Sequence, residues 1–139
     1  MRMKRLICAV LLVGLLASLA CAHAGKLERA WMEYEDYSGN RAEQSIEDVK
    51  KLEELEKILT RASKNKADNS GGTMNCTLFC MTQDGEIYDF ACATDGYPYI
   101  QKRDNGATYT LGLDYERFWQ LFSDVKAGMG FDASSVLDW

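Results

Sequence analysis

The feature that most constrains the fold is a pair of strand-like runs, 73–82 and 86–94, joined by Gln83-Asp84-Gly85. A three-residue connection with glycine in the left-handed position is typical of an antiparallel hairpin. If Thr82 pairs with Glu86, the same register sets Cys76 opposite Cys92. Directly opposed residues lie within the Cα separation of a disulfide. We therefore predict a Cys76–Cys92 bridge.

The alternation of side chains along this hairpin supports the same register. One face carries Met74, Cys76, Leu78, Cys80, Tyr88, Phe90 and Cys92. The other face is mainly polar, and Phe79, Met81 and Ile87 are its exceptions. A slip of one residue would exchange the two faces, so the pattern of side chains tests the register separately from the turn residues. Both indicate the same register.

A second hairpin and a helix complete the C-terminal part. Two runs, 97–101 and 107–111, flank the turn signal Asp104-Asn105-Gly106, and the first strand lies at an edge or starts near Pro98. A helix with N-cap Asp114 follows and closes at Gly128. Its helical periodicity is carried by Tyr115, Phe118, Trp119, Phe122 and Val125.

The N-terminal part is predicted to be mainly helical. Residues 41–63 contain no glycine or proline, and Trp31 and Tyr34 are three residues apart. The domains are then a signal peptide (1–24), a helical segment and potential pro-region (25–63), a polar linker (64–72) and a cysteine-containing domain (73–139). The fold class is α+β: a helical N-terminal segment and a small disulfide-stabilised domain, in which a C-terminal amphipathic helix packs on a four-stranded antiparallel sheet of two hairpins.

The first 24 residues predict export. Basic residues near the N-terminus precede an apolar run that ends at Ala22-His23-Ala24, so cleavage is expected between Ala24 and Gly25. The apolar run is shorter than the roughly 20 residues of a spanning helix. We expect a secreted, extracellular protein without membrane insertion.

Removal of the signal peptide excludes several function classes. The only histidine, His23, leaves with it, so the mature chain has no imidazole for general-base catalysis or zinc binding. The signal peptide carries three of the 16 basic residues and none of the 21 acidic ones, which leaves a net charge of −8. Such a chain repels phosphate backbones, so we expect no nucleic-acid partner. We predict no enzyme, no cofactor and no metal site.

Three other positions are candidates for modification. Cys80 is left over after the predicted bridge, and it is either a buried free thiol or the link of a disulfide-bonded homodimer. Asn75-Cys76-Thr77 is an acceptor triplet for N-glycosylation at Asn75. The dibasic pair Lys102-Arg103 beside the second turn is a potential processing site.

These patterns favour a secreted, non-enzymatic binding or effector protein that acts on an extracellular protein target. A second hypothesis is the precursor of a toxin-like or hormone-like peptide, released by cleavage at Lys102-Arg103. A third is a component of the extracellular matrix, although the chain lacks the low-complexity repeats common in such proteins.

Overall fold

A computed structural model describes residues 26–68 and 73–129. The chain is α+β, as predicted, with six strands and three α-helices in the described part. The strands are β1 (Leu27–Glu35), β2 (Arg41–Ile46), β3 (Cys76–Thr82), β4 (Ile87–Cys92), β5 (Tyr99–Lys102) and β6 (Thr108–Thr110). The helices are α1 (Val49–Ala62), α2 (Tyr115–Leu121) and α3 (Ser123–Gly128), with a 3₁₀ turn at Gly112–Asp114 before α2.

The strands form one antiparallel sheet in the order β2-β1-β3-β4-β5-β6. The prediction of a four-stranded sheet was wrong, because β1 pairs with β3 and, together with β2, adds two strands to the sheet of the two C-terminal hairpins. At the opposite edge, residues 65–67 cover β6 through a bridge between Lys66 and Tyr109. The Ala67 N–H also donates to the Thr108 carbonyl. The polar segment after α1 therefore closes one sheet edge.

The prediction of a helical segment from residue 25 was also wrong for residues 27–46, which form the β1–β2 hairpin. In β1, buried Ala30, Met32 and Tyr34 alternate with more exposed side chains, which is the period of a strand. Asp36 fixes the turn, because its carboxylate accepts hydrogen bonds from the Ser38 and Asn40 N–H groups.

The predicted helix in the following stretch is confirmed as α1. It begins after Asp48, whose carboxylate accepts a hydrogen bond from the Lys51 N–H at 3.0 Å and satisfies a free donor of the first turn. One side of the helix is buried and carries Leu52, Leu55, Ile58, Leu59 and Ala62. The helix therefore packs along an apolar stripe on the sheet.

Both C-terminal hairpins are confirmed. Gly85 and Gly106 adopt left-handed φ angles of 82° and 68° in the two turns. Cys76 pairs with Cys92 and Cys80 with Tyr88, which is the predicted register. The structure nevertheless contains no disulfide among the described cysteines, so the prediction of a disulfide-stabilised domain was wrong.

The C-terminal helix is interrupted at Phe122, whose φ of −117° and ψ of 44° separate α2 from α3. Asp114 precedes α2, but its side chain does not cap the helix. It instead accepts two hydrogen bonds from Arg61 at the end of α1, at 2.7 and 3.0 Å. This contact makes two charge-assisted hydrogen bonds where a cap would make one, and it joins α1 to α2.

All three helices pack on the same face of the sheet and share one core with it. The sheet contributes Ala30, Met32, Tyr34, Ile46, Cys76, Leu78, Cys80, Phe90, Cys92 and Ile100, and the helices contribute Leu52, Leu55, Ile58, Leu59, Ala62, Phe118, Trp119, Phe122 and Val125. Residues on both sides of the predicted linker thus bury their apolar side chains together. Within residues 26–68 and 73–129, no helix has the length and apolar character needed to cross a bilayer. The predicted cleavage position at Ala24 and Gly25 lies outside the described residues.

Because the core is shared, shortening a buried side chain of β1 should destabilise the entire domain. Met32→Ala should lower the free energy of unfolding by about 2–5 kcal/mol, because Met32 is fully buried. Val49→Ala is the control, since Val49 is 61% exposed and should change stability little. Urea denaturation monitored by tryptophan fluorescence measures both. Equal stability of the two variants would show that β1 does not belong to the core.

Candidate functional site

The candidate site is the face of the sheet opposite the helices, which we call the open face. It is formed by the side chains that alternate with those of the core. Across β2, β1, β3 and β4 these are Arg41, Glu43, Ser45, Arg29, Trp31, Glu33, Glu35, Thr77, Phe79, Met81, Ile87, Asp89 and Ala91. In the part of the chain that the structure describes, no helix packs on these residues. The open face therefore presents apolar side chains outward from regular structure.

An aromatic stack lies at the centre of the open face. Trp31 of β1 is paired with Phe79 of β3, and their ring centroids are 5.1 Å apart with an interplanar angle of 13°. The guanidinium carbon of Arg29 lies 5.0 Å from the centre of the Trp31 ring. Stacking and cation–π contacts of this kind fix the rings without burying them completely.

Two aliphatic side chains extend the aromatic stack toward the β3–β4 turn. Met81 of β3 is paired with Ile87 of β4, and Arg29 is the partner of Met81 on β1. Ile87 is 57% exposed, which is unusual for an isoleucine in a strand. Trp31, Phe79, Met81 and Ile87 together form one contiguous group, which we call the apolar patch. Contiguous exposed apolar groups with polar surroundings are typical of interaction sites.

Ion pairs border the apolar patch. Arg103 donates a hydrogen bond to the Thr77 hydroxyl at 2.8 Å and lies 3.4 Å from the Asp89 carboxylate. On the other side, Arg29 donates to the Ser45 hydroxyl at 3.1 Å and lies 3.6 Å from the carboxylate of Glu47. An apolar centre with a charged rim is the usual organisation of a protein–protein contact.

The three described cysteines lie on the core face, and all are free and buried. Cys76 and Cys92 are directly opposed. The Thr82 N–H donates to the Glu86 carbonyl, and hydrogen-bonded pairs recur at every second residue of the two strands. Cys76 and Cys92 therefore occupy a hydrogen-bonded pair. Side chains in such pairs are farther apart than in the alternate pairs. The Cys76 Sγ lies 3.8 Å from the Met129 Sδ, and the Cys92 Sγ lies 3.8 Å from the Phe90 carbonyl. The sulfurs therefore contact other groups, and the predicted Cys76–Cys92 bridge is absent.

Cys80 is also fully buried, with none of its surface exposed. It is paired with Tyr88 of β4, and burial raises the pKa of both groups. Burial likewise raises the pKa of Cys92, and it raises that of Cys76 to about 12. A link between two copies through Cys80 would require the helices to leave the sheet, so the structure gives no support to the predicted Cys80-linked dimer.

These thiols are poor candidates for covalent or metal chemistry. A reactive cysteine needs an exposed thiolate near a base or a cation, and burial favours the neutral thiol here. Within the described residues, no three histidine, cysteine, aspartate or glutamate side chains are arranged to hold a metal ion.

The predicted processing site, Lys102-Arg103, lies within hydrogen-bonded backbone. The Lys102 N–H donates to the Ala107 carbonyl, and the Arg103 N–H donates to the Asp89 carbonyl. A protease would have to open this hairpin before cleaving it. The predicted glycosylation site, Asn75, is half-buried just before β3, and its carbonyl accepts a hydrogen bond from the Glu35 N–H. Both modifications stay predictions.

Sequence reasoning missed the open face because it assigned Trp31 to a helix. The signal was nevertheless present, since Phe79, Met81 and Ile87 are apolar at positions that the hairpin register assigns to the outer face. Three apolar exceptions on one face of a hairpin indicate a neighbouring strand with matching side chains. That strand is β1, and the matching side chain is Trp31.

Comparison with known proteins adds no family assignment: no protein-family model matches the chain, and searches of the curated proteins and of the solved structures found no significant match.

The burial of the thiols predicts their reactivity. Cys76, Cys80 and Cys92 of the folded protein should not react with a thiol reagent such as Ellman's reagent at pH 8 within minutes, because burial blocks access and raises each pKa. In the same protein unfolded in guanidinium chloride, all three thiols should react with the reagent. Failure of two thiols to react after unfolding would contradict the absence of a bridge.

Burial also predicts an alkaline loss of stability. An unfolded thiol ionises near pH 9, whereas the folded Cys80 thiol stays protonated, so the folded state binds more protons and the free energy of unfolding falls as the pH rises above 9. At pH 10 the loss is about 1 kcal/mol per buried thiol. Urea denaturation at pH 8 and pH 10 should show a smaller loss for Cys80→Ala than for the unsubstituted protein. Equal losses would contradict this origin.

Proposed function

We propose that this chain is a secreted, non-enzymatic binding protein that engages an extracellular protein target through its open face. The observation that carries the proposal is the apolar patch, Trp31, Phe79, Met81 and Ile87, which no described helix covers and in which Ile87 is exposed and the other three are half-buried. The signal-peptide pattern of residues 1–24 supports action outside the cell.

The rigidity of the surface favours binding. Trp31 and Phe79 project from β1 and β3, inner strands that are hydrogen-bonded on both sides, so their positions are fixed before a partner arrives. A preformed surface loses little conformational entropy on association. Tryptophan and arginine are also the side chains that most often contribute large parts of a binding energy.

The chemistry of the chain supports the absence of catalysis. The mature sequence has no histidine, and the described thiols are buried with raised pKa values. The open face presents arginines that are already paired with carboxylates, an arrangement that suits recognition.

The test introduces a charge into the apolar patch without disturbing the core. Ile87→Glu places a carboxylate at an exposed position, and Leu113→Glu is the matched control, because Leu113 is completely exposed in the 3₁₀ turn outside the sheet. Each secreted protein is cross-linked in the extracellular fluid in which it occurs, and the captured proteins are quantified by mass spectrometry. We expect a target that Leu113→Glu retains and that Ile87→Glu loses at least tenfold. Equal recovery by both variants, or no target for the unsubstituted protein, would contradict the proposal.

A further inference from the structure

The open face carries, beside the apolar patch, a pair of carboxylates whose negative charge no ion pair of the described residues neutralises. Glu33 of β1 is directly opposite Glu43 of β2. The Asp36 N–H donates to the Asn40 carbonyl, which makes Asp36 and Asn40 a hydrogen-bonded pair. Hydrogen-bonded and non-hydrogen-bonded pairs alternate along β1 and β2, so Glu33 and Glu43 occupy a non-hydrogen-bonded pair. Opposed side chains approach most closely in such pairs, and like charges there destabilise the sheet.

The arginines on and beside the open face do not neutralise these two carboxylates. Each arginine is engaged with another acidic residue: Arg29 with Glu47 at 3.6 Å, Arg41 with Glu35 at 3.1 Å, and Arg103 with Asp89 at 3.4 Å. Among the residues that the structure describes, no lysine or arginine forms an ion pair with Glu33 or Glu43. The local excess of charge on the open face is therefore negative.

The carboxylate pair and the apolar patch are neighbouring rows of the same face. Trp31 and its partner Ser45 lie two residues from Glu33 and Glu43 along their strands. Two residues of a strand span about 7 Å. Both glutamates are exposed, and they line a shallow surface depression together with Glu35 and Arg41. A cation from outside can therefore reach the carboxylates.

We propose that the partner of the open face is a protein segment in which a lysine or arginine lies next to an apolar side chain. The inference rests on the proposed function and specifies the chemistry of the target. The cation lies between Glu33 and Glu43 and relieves their repulsion, and the apolar side chain packs on Trp31 and Phe79. In an extended segment, residues two apart project on the same side with the same spacing of about 7 Å. A locally unfavourable like-charge pair is the kind of feature expected at functional positions.

The test uses three synthetic peptides and the ¹⁵N-labelled secreted protein. The first peptide repeats Lys-Ser-Leu-Ser, so that lysine and leucine alternate on one side of an extended chain. The second replaces lysine by glutamate, and the third replaces leucine by serine. We expect the first peptide to shift the amide signals of β1, β2 and β3 and to bind about tenfold more tightly than either of the others.

Variants separate this interaction from general attraction to an acidic protein. Glu33→Gln/Glu43→Gln should weaken binding of the lysine–leucine peptide about tenfold. Glu53→Gln/Glu116→Gln changes the net charge equally at exposed helical positions and should leave binding unchanged. Glu43→Lys should abolish binding and raise the Tm by about 1–4 °C, because it converts the repulsive pair into an attractive one.

The outcomes distinguish the two proposals. If the glutamate peptide binds the open face as tightly as the lysine peptide, or if the double glutamine variant binds normally, the cationic partner is wrong and the open face stays the binding surface. If the lysine–leucine peptide shifts no signal of the open face, or shifts only signals of other surfaces, the cationic partner is wrong, whereas the proposed function fails only if Ile87→Glu and Leu113→Glu recover targets equally or the unsubstituted protein captures none.

Discussion

The pairing of β1 with β3 is the contact on which the rest of the structure depends. The two strands are separated in the sequence by β2, α1 and residues 63–75, and β1 is hydrogen-bonded to β2 on one side and to β3 on the other. Each hairpin can form locally, but a two-stranded hairpin is marginally stable in water. Joined through β1, they form a sheet wide enough for three helices. Closure of this long-range contact costs loop entropy, which the shared core must offset.

The same pairing creates both faces of the sheet. It aligns Ala30, Met32 and Tyr34 with the buried side of β3, where the helices cover them. By alternation it must then align Trp31 with Phe79 on the other side. The core register thus determines which positions face outward beside one another. It does not determine that these positions are apolar, because polar side chains would fit there and expose less apolar area to water.

The cysteines show that a correct register does not decide a disulfide. Cys76 and Cys92 are opposed as their spacing indicates, but they occupy a hydrogen-bonded pair, in which side chains lie farther apart than in the alternate pairs, and each sulfur contacts another group. The thiols behave as small apolar side chains of a packed core. Stability therefore comes from burial, to which β1 and α1 contribute together with the C-terminal strands.

The sequence by itself determined the local elements: α1, the turns at Gly85 and Gly106, the β3–β4 register and the apolar stripe of residues 115–125. Each depends on side chains only a few residues apart, so periodicity and turn chemistry suffice. The tertiary structure alone decided that residues 27–46 are strands, because the pairing of Trp31 with Phe79 joins positions 48 residues apart and overrides the helical spacing of Trp31 and Tyr34. It also decided the open face, since a surface made by four strands from two parts of the chain has no continuous sequence pattern.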